Sequence, residues 1–259
     1  MAKKLDILSW NVNGIRAIER KGFFDWLDER KPDVLGLQEI KADHDKIPER
    51  FKAIDGYFAF FNPAQRPGYS GTALFTRVKP DKVGAGFGVD KFDVEGRVIW
   101  ADFDDTRLYN VYFPNGKSRQ ERLDYKMEFY DAFLVHIRKV QKQGRKVVFC
   151  GDVNTAHKPI DLARPKENEK ISGFLPMERE WIDEVIEKGF TDTFRAFHPD
   201  KADEYSWWAQ RSRARERNVG WRIDYFFTDE RLTPNVKKAF IEQETQGSDH
   251  APVGITLAL

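Results

Sequence analysis

The chain has 259 residues, of which 41% are hydrophobic and 14% aromatic. That is enough apolar material to pack one large α/β domain or two small ones. The net charge of +1 excludes a generally basic nucleic-acid coat and confines any DNA contact to a local patch.

Apolar runs too short for a bilayer exclude a membrane span. Met1-Ala2-Lys3-Lys4 passes directly into a strand pattern with no signal-type core. The lone Cys150, set in an apolar strand, reads as a buried structural thiol and cannot form an internal disulfide. A cytoplasmic monomer follows as the expectation, nucleoid-associated if the source is prokaryotic. No linker, low-complexity tract or repeat divides the chain, so one catalytic domain over residues 1–259 is expected.

In chain order, Leu5-Asp6-Ile7-Leu8-Ser9-Trp10 reads as a strand ending in Asn11-Val12-Asn13-Gly14. Residues 22–30 carry Phe23, Trp26 and Leu27 at helical spacing. Asp33-Val34-Leu35-Gly36-Leu37 leads into Gln38-Glu39. The strand-like runs 72–75, 98–103 and 108–113 lie close together, which predicts antiparallel neighbours. The last of them ends in Pro114-Asn115-Gly116. Residues 120–143 place Leu123, Met127, Tyr130, Phe133, Leu134 and Ile137 on a helical stripe, with Gly144 as the cap. A third helix, 176–188, starts at Pro176, buries Trp181, Ile182, Val185 and Ile186, and stops before Gly189. Strands alternating irregularly with such helices predict an α/β fold of two packed mixed sheets with helices outside.

The strand Lys146-Val147-Val148-Phe149-Cys150 ends in Gly151-Asp152-Val153-Asn154. Residues i and i+2 of an extended chain share a face, so Asp152 and Asn154 are expected side by side at the mouth of a sheet. A carboxylate that takes a proton from water, beside an amide that donates to an oxyanion, is half of a hydrolytic site. Gly220-Trp221-Arg222-Ile223-Asp224-Tyr225 and Gly247-Ser248-Asp249-His250 add further polar clusters at strand ends. So many Asn, Asp, Glu and His residues at strand ends point to function rather than loop decoration. The oxygen-rich set suits a hard cation, Mg²⁺ or Mn²⁺, and no zinc-type Cys/His set is present. Arg211, Arg213, Arg215, Arg217 and Arg222 stand against one Glu216, flanked by Tyr205, Trp207, Trp208 and Trp221. Arginines interleaved with indoles suit phosphate contact plus stacking.

These segments closely resemble the exonuclease III family of abasic-site endonucleases, within the wider metal-dependent phosphodiesterase superfamily. The match runs from Ser9-Trp10-Asn11-Val12-Asn13-Gly14 through Leu37-Gln38-Glu39-Ile40-Lys41 and Gly68-Tyr69-Ser70-Gly71-Thr72-Ala73. It continues through Gly151-Asp152-Val153-Asn154-Thr155-Ala156-His157 and Ile160-Asp161-Leu162 to Ser248-Asp249-His250. The resemblance implies a four-layer α/β sandwich and incision 5′ to an abasic site in duplex DNA, with related 3′–5′ exonuclease and 3′-end-cleaning activities. It implies that Glu39 holds the metal, with Asn11, Asn13 and Asp249 beside it and Asp152 and Asn154 as further oxygen ligands. Family members often carry Asp where this chain has Asn13, and the missing charge weakens or relocates the metal.

Asp152 is then the expected general base, Asn154 the transition-state donor, and Asn11 the group that orients Asp152. Tyr112 is expected as a phosphate-binding phenol, or as a phenolate if the metal and arginine field lowers its pKa. His250, paired with Asp224, is expected at the scissile phosphate. Asn115, Lys117 and Asn168 are expected on the DNA backbone, and Arg211, Arg213 and Arg215 on its phosphates. Trp207, Trp221 and Ile223 match the apolar pocket for a flipped, base-free deoxyribose. A lipid or inositol phosphate phosphodiesterase, and a DNA-binding protein without catalysis, are the competing readings.

Overall fold

The computed structural model describes residues 4–258; the reading of Met1–Lys3 lies outside them. In chain order the elements are β1 (Lys4–Asn11), α1 (Ile15–Glu19), α2 (Phe23–Arg30), β2 (Val34–Gln38), α3 (Glu49–Lys52), β3 (Phe58–Asn62), β4 (Thr72–Thr76) and β5 (Lys82–Ala85). Then come α4 (Asp90–Asp93), β6 (Val98–Phe103), β7 (Thr106–Tyr112), α5 (Gln120–Lys142), β8 (Lys146–Asp152), α6 (Pro165–Asn168), α7 (Pro176–Glu187) and β9 (Phe190–Asp192). The last are α8 (Thr193–Phe197), β10 (Trp207–Trp208), β11 (Gly220–Trp221), β12 (Asp224–Asp229), β13 (Val236–Ile241) and β14 (Val253–Ala258).

Two six-stranded mixed sheets form, in the orders β13-β14-β1-β2-β4-β3 and β5-β6-β7-β8-β12-β9. Each has one parallel pair near its centre, β1 with β2 and β7 with β8. The expectation for the three neighbouring runs holds only in part. β6 and β7 pair antiparallel, but β4 joins the other sheet between β2 and β3. Closeness in sequence did not decide that partner, because 72–76 has both faces buried and fits either sheet.

Burial follows the period of the strands. Leu5, Ile7, Val34 and Leu74 face Ile99, Ala101, Leu108, Val148, Cys150 and Phe226 of the second sheet. The alternate residues Leu8, Trp10, Leu35, Leu37 and Phe75 face outward onto Ile15, Ile18, Phe23, Leu27 and Phe51 of the first helical layer. Tyr109, Val111, Val147, Phe149 and Phe227 meet α5 and α7 on the far side. Strands covered on both faces therefore read as continuous apolar runs, and the layers run helix, sheet, sheet, helix. The helices differ from expectation in detail. On α5, Leu123 and Met127 are only half-buried, and Lys126 and Phe129 take the buried places. On α7, Ile186 is exposed.

The inter-sheet face changes character toward the ends of β1, β2, β7 and β8. Beyond the apolar layer come Ser9, Gln38 and Asn110, all fully buried. Gln38 donates to Ser9 and Asn110, and Asn110 donates to the carbonyls of Leu37 and Ala73 at 2.9 Å, so the two sheets are hydrogen-bonded to each other here. Gly36 permits this approach, since a Cβ there would stand 2.7 Å from the Asn110 side chain. One step further along the same face stand Asn11, Tyr112, Asp152 and Asp224.

Gly151 is required by its neighbour strand. Its φ is +136°, and an added Cβ would lie 1.8 Å from the Val111 carbonyl oxygen, a backbone atom that cannot move aside. Gly151→Ala is expected to lower stability by about 3 kcal/mol or more, the upper range for overpacking. A urea midpoint equal to the parent's would overturn this account of the β7–β8 contact.

Candidate active site

Strand register builds the centre. Tyr112 pairs with Asp152 across β7 and β8, and Asp152 stands opposite Asp224 across β8 and β12. Like charges directly opposite are destabilising, and both carboxylates are buried. His250 relieves the conflict: its Nδ1 lies 2.9 Å from Asp224 Oδ2 and its Nε2 lies 3.9 Å from Asp152 Oδ2. Burial alone would lower the imidazole pKa, but Asp224 and Asp152 overcome it and raise it to about 10. His250 is thus held oriented by Asp224 and favoured in its charged form. Burial also pushes Asp152 up to about 7, with Asp224 and Glu39 adding to the shift and His250 opposing it.

Asn11 links the two sheets at this level. Its Nδ2 donates at 3.0 Å both to Asp152 Oδ2 and to Glu39 Oε1. Asn154 meets Asp152 by a different route from the one expected. β8 ends at Asp152, and Asn154 adopts a φ of +59°. The turn, not the strand period, lets its backbone N–H reach Asp152 Oδ1 at 2.8 Å and its amide reach Oδ2 at 3.1 Å. The same amide donates to the Phe113 carbonyl, and Asn115 donates to Asn154 Oδ1 at 2.9 Å.

The first and last motifs meet here. Trp10 Nε1 donates to the His250 carbonyl, Ser248 Oγ to the Asn11 carbonyl, and Asn13 Nδ2 to Asp249 Oδ1 at 2.8 Å. Glu39, at a φ of +53°, and Asn13, at +48°, both turn their oxygens onto one cation, the Lys41 ammonium. Nζ lies 2.6 Å from Glu39 Oε2 and 2.5 Å from Asn13 Oδ1. Burial would raise Glu39, yet Lys41, Asn11 and Tyr112 hold its pKa below the ordinary value. Asp249 is also held low, by His250, Asn13 and Trp207 against burial. Glu39 and the Asn13 amide oxygen, which already hold a cation, with the ionised Asp249 bonded to the same Asn13, fit a hard divalent ion. Asp152, Asp224 and His250 also lie close enough together for a metal, but protonated His250 has no free lone pair to offer.

Tyr112 is a phenol. Burial and the Glu39 carboxylate drive its pKa well up, and Arg97, 4.8 Å from its ring, does not reverse this. In the metal-free protein the arginine field by itself does not yield a phenolate. Trp207, Trp221 and Ile223 come together with Phe174, Ala156 and Leu162. The two indoles are 6.4 Å apart, and Trp207 is 6.4 Å from His250. Trp208 faces the other way, as its place in β10 predicts, and packs with Tyr205 and Ala251.

Two members of the basic patch are structural. Arg222 is fully buried and clamps Asp161 and Asp192 at 2.7 Å. Arg215 donates to the carbonyls of Ser248, Gln243 and Thr245, lying over Trp208, and so holds the loop that leads to Asp249 and His250. It is corrected from a phosphate contact to a loop clip. Arg211 and Arg213 remain exposed. Asn168 donates to the carbonyls of Ala163 and Arg164 in its own turn.

Sequence reading missed Ser206, which donates to Asp224 Oδ2 at 2.7 Å and accepts from the N–H groups of Ile223 and Asp224. It missed Arg66, Arg119 and Arg122, which line a cleft of about 1080 Å³ beside Tyr112. A second cleft, of about 1010 Å³, runs past Arg213 and Asp249. It also missed Lys126, fully buried, whose ammonium holds the Asn154 carbonyl, Thr155 and Glu178. A lysine four residues before Tyr130 on an apolar stripe was the available signal. His157, braced by Asp183 at 2.8 Å, supports the same loop.

The sequence profile of the endonuclease/exonuclease/phosphatase family matches residues 8–250. The chain is similar to the exodeoxyribonuclease of Bacillus subtilis, with 41% identity over 98% of this chain and 99% of that one. It is 38% identical to the DNA-(apurinic or apyrimidinic site) endonuclease of Dictyostelium discoideum, over 99% of this chain and 71% of the relative. Among solved structures, the 3′–5′ exonuclease of Neisseria meningitidis superposes with a TM-score of 0.90 at 28% identity, covering 98% of this chain and 100% of the other.

Because the folded-state pKa of His250 lies above its ordinary 6.5, at about 10, its stabilisation is complete below pH 6.5 and is lost as pH rises toward 10. Urea midpoints should fall more steeply over that window for the parent than for His250→Gln; parallel profiles would rule out the charged pair. Arg211→Ala and Arg213→Ala should each flatten the log–log salt dependence of duplex binding by ~0.9 if a phosphate contact is lost. Arg215→Ala should leave that slope alone and reduce stability by about 1–3 kcal/mol, the scale of hydrogen bonds from a charged donor. A flattened slope for Arg215→Ala would restore it as a phosphate contact.

Proposed function

The chain belongs to the endonuclease/exonuclease/phosphatase family, and on that premise we propose that it incises duplex DNA 5′ to abasic sites. It is a DNA repair nuclease, and the same centre serves 3′–5′ exonuclease and 3′-end-cleaning reactions. The observation that carries the abasic reading is the apolar box of Trp207, Trp221 and Ile223 set directly against His250. Such a box offers apolar faces to a bare sugar, and a nucleotide with its base must first be extruded at a cost of a few kcal/mol. The cleft beside Tyr112, lined by Arg66, Arg97, Lys117, Arg119 and Arg122 against Glu95 alone, suits a duplex that passes over the centre.

Glu39, Asp249, Asn13 and Asn11 would hold Mg²⁺ or Mn²⁺, which when bound neutralises charge on the phosphate and leaving oxygen. Asp152 takes the proton from the attacking water, and its pKa near neutrality suits that task. Asn11 and the Asn154 backbone N–H fix the orientation of Asp152. His250, charged and held by Asp224, donates from Nε2 to a nonbridging phosphate oxygen. Tyr112, as a neutral phenol, donates to the same phosphate. The Asn154 amide, bonded to Asp152 and the Phe113 carbonyl in the free protein, turns to the phosphate when DNA binds. Residues 1–259 act as one catalytic unit on this reading.

Asp152→Asn should lower cleavage of a duplex with one abasic analogue by at least ~10²-fold, while binding persists. Near-parent turnover by the purified variant would remove Asp152 from the mechanism, and cleavage by the parent in chelator would remove the cation. Glu39→Gln should shift the Mg²⁺ titration of activity to higher concentration, and a curve that superimposes on the parent's would exclude Glu39 as a ligand.

A further inference from the structure

The Lys117 ammonium lies inside the apolar box. Its Nζ stands 4.8 Å from the Trp207 ring and 5.0 Å from the Trp221 ring. The residue as a whole is exposed at the surface, while its ammonium end is tucked against the two indoles. Its backbone N–H is bonded to Asn115 Oδ1 at 2.8 Å, and Asn115 is bonded to Asn154, so the lysine is anchored to the catalytic loop. Gly173 keeps the space clear: a Cβ there would stand 3.2 Å from the Trp221 ring and 3.9 Å from Lys117 Cε. Among the described residues no hydrogen bond or ion pair holds the ammonium. Asp152 and Glu178 act on it only at a distance.

We propose that Lys117 is an imine-forming amine that captures the C1′ aldehyde of an abasic deoxyribose seated against Trp207 and Trp221. The inference rests on the abasic-site reading above. A base-free deoxyribose opens to an aldehyde, which intact nucleotides lack. The neutral amine adds to C1′ and the C–N bond forms. The carbonyl oxygen then departs as water with the two hydrogens of the amine. No metal, oxidant or reductant enters the step. Burial holds the Lys117 pKa below the ordinary lysine value, partly opposed by Asp152 and Glu178, which enlarges the neutral fraction available for attack. The ligand class is an aldehydic sugar phosphate in DNA.

The test incubates the full chain, in chelator, with a duplex that carries one natural abasic site, and adds borohydride to reduce any imine. A covalent protein–DNA band is expected, with the modified peptide mapping to Lys117. Lys117→Arg, which keeps the charge but forms no stable imine, should lower its yield by at least ~10-fold. No band from the parent overturns the proposal, as does a band of undiminished yield from Lys117→Arg. A parallel Mg²⁺ assay of the parent on a tetrahydrofuran duplex, which has no aldehyde, reports separately on the nuclease reading. Cleavage there without a borohydride band sinks the imine alone.

Discussion

Two buried carboxylates, Asp152 and Asp224, stand opposite each other on paired strands, with one imidazolium between them. That arrangement is unfavourable for folding unless His250 is charged and in place. His250 sits on the last loop of the chain, whereas β8 and β12 belong to the second sheet. The catalytic charge balance therefore depends on β14 pairing with β1 and on the two sheets meeting at the correct height. Asn11 completes the dependence, since its single amide bridges Asp152 and Glu39 across the sheets.

A site of this kind needs a rigid floor. Below it, the Ser9–Gln38–Asn110 layer fixes one sheet against the other by directional bonds, and below that the apolar layer supplies most of the cohesion. Around it, three buried or half-buried cations act as braces. Lys126 holds the loop after Asp152, Arg222 holds the strand before Asp224, and Arg215 holds the loop before Asp249. Breaking a fully buried pair such as Lys126–Glu178 costs about 3–5 kcal/mol, because the remaining charge is stranded. The loops of the centre are thus positioned by the ion pairs of Lys126 and Arg222 and by the carbonyl contacts of Arg215.

The same logic explains why net charge says little about DNA binding here. Some basic side chains hold the fold, as Arg222 and Lys126 do, and others, such as Arg213 and Arg119, are exposed along the clefts. Lys41 and Lys117 are a third kind, each beside the centre, the one between the Glu39 carboxylate and the Asn13 amide oxygen and the other against indole faces.

Much of this was legible in the sequence. Apolar runs that end in Asn, Asp, Glu or His determine where strands stop, and nearly all of the central residues lie at those stops. Gly151 was part of the readable motif, although its reason, the Val111 carbonyl, was not. What the sequence could not determine was partnership. The run 72–76 fits either sheet, and only packing placed it beside β2. Arg211, Arg213, Arg215 and Arg222 look alike in a string of letters, yet the fold buries Arg222, half-buries Arg215 and leaves the other two in water. The meeting of Asp152 with Asn154 arose from a left-handed turn rather than strand period. Periodicity reports which face a residue occupies within its own element. Which cation meets which carboxylate is settled by contacts between elements far apart in the chain, and those exist only once the two sheets have packed.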